Sequence, residues 1–76
     1  MGQDCLLDMF TRSARNAQQT RRFSIASTAA GWEVREERDS RLVRRVAYQD
    51  WHRVERARRS ITSELEQLRE AGWTLE

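Results

Sequence analysis

The sequence predicts an α+β fold: a three-stranded antiparallel β-meander packed on one long C-terminal helix (βββα). The opening segment either adds a short helix (αβββα) or stands apart as a disordered arm. Three observations predict this fold. Between Asp50 and Gly72 the apolar residues Trp51, Val54, Ala57, Ile61, Leu65 and Leu68 recur at spacings of three and four. That spacing puts them on one helical face, with Trp51 at its edge. Between Phe23 and Tyr48 the apolar period falls to two, the period of a strand. Turn-forming residues interrupt that stretch at Thr28-Ala29-Ala30-Gly31 and at Asp39-Ser40.

Residues 1–22 form a separate compositional block. Leu6, Phe10, Ala14 and Ala17 have helical spacing and Asp4 could cap a start, but Thr11 to Arg22 is polar and lacks large apolar side chains. A short docked helix and a disordered arm are both compatible with that pattern. The domain is therefore drawn at 23–76, with 1–22 as an N-terminal arm.

In the first strand Phe23 and Ile25 alternate with Ser24 and Ala26; in the second, Trp32 and Val34 alternate with Glu33 and Arg35. A two-residue turn at Thr28-Ala29 would set Ile25 opposite Trp32 and Phe23 opposite Val34. The third strand runs from Leu42 to Tyr48 and is rich in β-formers. A two-residue turn at Asp39-Ser40 would face Val34 with Arg45. A loop of Asp39-Ser40-Arg41 instead faces Val34 with Val46, Trp32 with Tyr48 and Glu36 with Arg44, pairing like with like and acid with base. The resulting apolar face is Phe23, Ile25, Trp32, Val34, Val46 and Tyr48.

This face and the helix stripe cover one another, since neither can bury itself alone. Asp50 stands at the N-cap position and Gly72 at the left-handed position after the helix, with Trp73 placed to fold back on Leu68. Both Trp32 and Trp51 are read as core.

The chain has 76 residues, the size of one small domain. A core of this size supplies only ~3–5 kcal/mol net, so a partner or a second copy would add useful buried surface. All fourteen basic residues are Arg, yet acidic residues nearly balance them and the net charge is +2. Cys5 is the single cysteine, which excludes an intrachain disulfide and fits a cytoplasmic setting. No apolar run approaches a membrane span or signal-peptide core. Leu6 occupies the position that a Met1-Gly2 myristoylation motif gives to Ser or Thr. No membrane partner is expected.

Catalysis finds no support. His52 is the sole histidine and shares no helical face with Asp50 or Tyr48, so no nucleophile–base pair can be assembled. There are too few His and Cys for a zinc site, and no glycine-rich phosphate loop. No catalytic residue, metal, cofactor or small-molecule substrate is assigned. Two binding candidates remain. The helix surface away from the core carries His52, Arg56 and Arg59, flanked by Arg53. The outer sheet face sets Arg35 directly opposite Arg45, among Glu33 and Glu37, which can offset the like charges. Arginine is a planar fork suited to phosphate and carboxylate.

The βββα order resembles, in topology alone, two nucleic-acid-binding arrangements: the three-stranded sheet with C-terminal helix of the plant and integrase type, and the helix–three strands–helix of the double-stranded-RNA-binding domain. Asp50-Trp51-His52-Arg53 departs from the Lys-rich start that the latter gives its last helix. The resemblance implies a nucleic-acid partner and transfers no residue role. The functional expectation is a small non-catalytic binding module. Nucleic-acid backbone binding through Arg53, Arg56, Arg59, His52, Arg35 and Arg45 is the specific reading, and a protein partner or homodimer is the alternative.

Overall fold

The computed structural model of the chain describes residues 7–76. Its elements run β1 (Leu7–Arg15), β2 (Thr20–Thr28), β3 (Gly31–Arg38), β4 (Arg41–Tyr48), α1 (Trp51–Glu70) and β5 (Thr74–Leu75). The strands form one antiparallel sheet in the order β4–β3–β2–β1–β5, with α1 packed against it. The α+β class and the long C-terminal helix agree with the sequence. The sheet is larger than the expected meander, because it gains β1 and β5.

No helix precedes the meander among the described residues. Residues 7–15 form a strand, paired with β2 as Phe10 with Ile25 and Ala14 with Arg21. The αβββα alternative and the disordered arm are therefore both corrected for this stretch, and β2 itself spans the 22/23 boundary drawn from composition. The reason is that a spacing of four, as in Phe10 and Ala14, fits a period of two as well as one of 3.6. Asn16 organises the connection to β2: its side-chain oxygen accepts the Gln18 and Gln19 N–H groups at 2.9 and 2.8 Å. Asp4, Cys5 and Leu6 lie outside the described residues.

Both hairpins differ from the expected ones in detail. The β2–β3 turn falls at Ala29-Ala30, so Ile25 faces Val34 and Phe23 faces Glu36. The slip of two positions leaves every side chain on its predicted face. At β3–β4 the turn has two residues, Asp39 and Ser40, at φ 52° and 68°. A bulge then follows between Glu36 and Glu37. Val43 is the extra residue, and beyond it Val34 faces Val46, Trp32 faces Tyr48 and Glu36 faces Arg44, as anticipated. A tight turn plus one bulged residue gives the same register as a three-residue loop.

The core holds Ala14, Phe23, Ile25, Val54, Ile61 and Leu65, with Trp32, Val34, Tyr48, Leu68 and Trp73 packed against it. Val46 on β4 is only half-buried. Trp51 departs from its core assignment: it is 40% exposed and packs its ring on Trp32, with centroids 5.3 Å apart. Asp50 caps α1 by accepting the His52 N–H at 3.0 Å. The other end closes in a Schellman motif, where Gly72 and Trp73 N–H groups donate to Arg69 and Leu68 carbonyls at 3.0 and 2.9 Å. That turn delivers β5 to the edge of β1, where the Glu76 N–H donates to the Ser13 carbonyl at 2.8 Å. The helix is not long and apolar enough to cross a membrane.

Candidate anion-binding groove

The placement of α1 on the sheet leaves part of β4 uncovered, and a groove of about 430 Å³ opens between the two. Phe23, Val34, Val46, Tyr48, Ala57 and Ile61 supply its apolar lining. Four arginines line it: Arg53 and Arg56 from consecutive turns of α1, Arg44 from β4 and Arg35 from β3. Of these, Arg35 is paired with Glu33, whereas Arg44, Arg53 and Arg56 have no carboxylate partner among the described residues. A second depression shares Tyr48 and Arg53 with the groove and continues past Trp32 to Gln49 and Asp50.

The acidic side chains of the groove are already engaged. Glu36, 9% exposed, accepts from Arg21 Nη2 at 2.7 Å and from Arg38 Nε at 3.0 Å. Glu64 takes a second contact from the same Arg21 Nη2. Burial pushes the Glu36 carboxyl upward, but the hydrogen bonds and charges of Arg21 and Arg38 outweigh it and hold it below its ordinary value. Burial likewise works against the Arg21 cation, and Glu36 and Glu64 more than offset it, so its value is raised. The expected Glu36–Arg44 ion pair is therefore absent: Arg21 and Arg38 hold Glu36, and Arg44 is left to the groove.

The six residues chosen from the sequence fall into three places. Arg53 and Arg56 belong to the groove, and Arg35 also touches its lining. His52 and Arg59 are exposed on the helix and do not line it. Arg35 and Arg45 are partners across β3 and β4, and Glu33 binds both, at 2.7 Å to Arg35 Nε and 3.5 Å to Arg45 Nε. One carboxylate thus offsets part of the charge of the two guanidinium groups. Glu37, expected to share the task, has no ion pair among the described residues, and Glu55 pairs with Arg58 at 3.5 Å.

Sequence reasoning missed Arg44 as a site residue, because the favourable cross-strand pairing with Glu36 appeared to account for it. The overlooked signal was Arg21, a competing cation whose own strand position was undetermined. Among the described residues no three His, Cys, Asp or Glu side chains gather as a metal site would require. Comparison with family models, curated proteins and solved structures gives no significant match.

Proposed function

We propose that this chain is a small non-catalytic binding module that holds the backbone of a nucleic acid along the α1–β4 groove. The observation that carries the reading is the convergence of Arg44, Arg53 and Arg56, all without a carboxylate partner among the described residues, on one groove. Free guanidinium groups gain most from phosphate, since no internal ion pair has to be broken first. Arg59 extends the basic surface along the helix, while Arg35 and Arg45, tied to Glu33, contribute less. Titration of the protein with single strands and duplexes across a range of salt tests this. Three phosphate contacts give a slope of log K against log salt of about −2 to −3. Unchanged NMR spectra on adding nucleic acid at low salt would sink the proposal.

The open edge of β4 favours a second reading, a protein partner. Leu42 and Val43 are 51% and 52% exposed there. The edge carries Arg41, Arg44 and Arg45, so a second copy paired antiparallel would bring arginines together. An acidic extended segment fits better than a homodimer. A solution mass above that of the 9.0 kDa chain would instead support self-association.

A further inference from the structure

We infer that the groove takes single-stranded RNA, with a base on its apolar floor, phosphates on Arg44, Arg53 and Arg56, and a ribose hydroxyl on Glu64. The inference rests on the backbone-binding reading and specifies its ligand. The floor decides for a single strand. Val34, Val46, Ala57 and Ile61 lie recessed between a helix and a strand, and a stacked duplex cannot deliver an apolar base face there. The volume, about 430 Å³, lies in the lower part of the ~300–1,000 Å³ range of small-ligand sites. Where the two depressions meet, Tyr48 and the neighbouring Trp32 add aromatic surface beside Arg53, the combination on which unpaired bases stack.

Glu64 decides for RNA. It lines the groove, its side chain is 43% exposed, and it sits two helical turns beyond Ala57 on the same side. A bare carboxylate would repel phosphate, but Arg21 binds Oε2 and offsets the charge. Oε1 accepts no hydrogen bond among the described residues. A carboxylate fixed in this way is an acceptor for a hydroxyl donor, and the 2′-hydroxyl is the donor that RNA has and DNA lacks.

The test uses the full chain and fluorescein-labelled oligouridine, oligodeoxyuridine, 2′-O-methyl oligouridine and a mixed-sequence duplex, read by fluorescence anisotropy at low salt. Oligouridine is expected to bind roughly tenfold more tightly than the other two single strands, the worth of one charge-assisted hydrogen bond, and the duplex to bind weakest. Glu64→Ala, with its folding checked by circular dichroism, should bring the three single strands within about twofold of one another. Arg44→Ala should weaken all three alike. Equal affinity of the unaltered protein for oligouridine and oligodeoxyuridine, or duplex binding as tight as single-strand binding, overturns the RNA assignment and leaves backbone binding standing. Failure of every probe to bind removes the proposed function itself. Should Glu64→Ala not fold, the three sugar chemistries on the unaltered protein decide the matter.

Discussion

Arg21 Nη2 lies 2.7 Å from the Glu36 carboxylate and also contacts Glu64, so one guanidinium joins β2, β3 and α1. Its Cζ lies over the Phe23 ring, 5.1 Å from the centroid. Both partners of the Arg21–Glu36 pair have side chains only 12% exposed. Removing one member of such a pair leaves the other buried and under-compensated. Glu36→Gln should destabilise the fold by about 3 kcal/mol, near the low end for a buried pair because Glu64 remains. In a domain this small that corresponds to a fall in Tm of roughly 12–24 °C, measurable by thermal circular dichroism.

The same pair sets a pH dependence. The Glu36 carboxyl is held below its ordinary value of 4.5, so in the folded state it keeps its charge to lower pH than in the unfolded chain. Its contribution is fully present above the unfolded value and is lost as pH falls through the lowered folded value. Urea midpoints measured between neutral pH and acid should therefore fall more steeply for the native protein than for Glu36→Gln. Parallel curves would show that Glu36 is not the group responsible.

Gly31 and Gly72 are both at positive φ, 143° and 99°, but for separable reasons. A Cβ at Gly31 would lie 2.3 Å from the Tyr48 carbonyl oxygen, whereas one at Gly72 would meet nothing within 4 Å. Gly72→Ala should cost about 1–2 kcal/mol, the backbone penalty alone. Gly31→Ala must also push the β3 and β4 backbones apart and should cost at least about 1 kcal/mol more. Equilibrium unfolding of the two variants gives the comparison directly.

The Asp39-Ser40 turn holds both central residues at positive φ, a conformation that Asp-Gly adopts more readily than Asp-Ser. The turn is also tied to β2, with Thr20 N–H donating to Asp39 Oδ1 at 3.0 Å and Asp39 N–H to the Thr20 carbonyl at 2.9 Å. Ser40→Gly should therefore raise stability by about 0.5–1 kcal/mol without altering those contacts. A lower denaturation midpoint in the variant would contradict this.

Binding should separate the two arginine sets. Arg44→Ala and Arg56→Ala each remove a free cation from the groove, and each should reduce the magnitude of the salt slope by roughly 0.7 for a single strand. Arg35→Ala and Arg45→Ala remove cations already held by Glu33 and should change the slope much less. If the outer-face pair proved the more sensitive, the binding surface would lie across the bare sheet.

By itself the sequence determined what depends on local periodicity and capping. The 3.6-residue recurrence from Trp51 to Leu68, Asp50 at one end and Gly72 at the other specify α1, because those signals act within a few residues. Alternation likewise assigned Phe23, Ile25, Trp32 and Val34 to one face, an assignment that survives a two-residue slip in register. Tertiary structure decided the rest. Phe10 and Ala14 are compatible with helix and strand alike, and the pairing with Ile25 and Arg21 chose strand. Trp51 has the spacing of a core residue, but α1 leaves it at the margin against Trp32. Arg44 became free only because Arg21, from a strand that sequence pattern could not place beside Glu36, reached that carboxylate through the folded sheet. The groove exists because a helix narrower than a five-stranded sheet cannot cover it, and where a helix comes to rest on a sheet depends on all the strands at once.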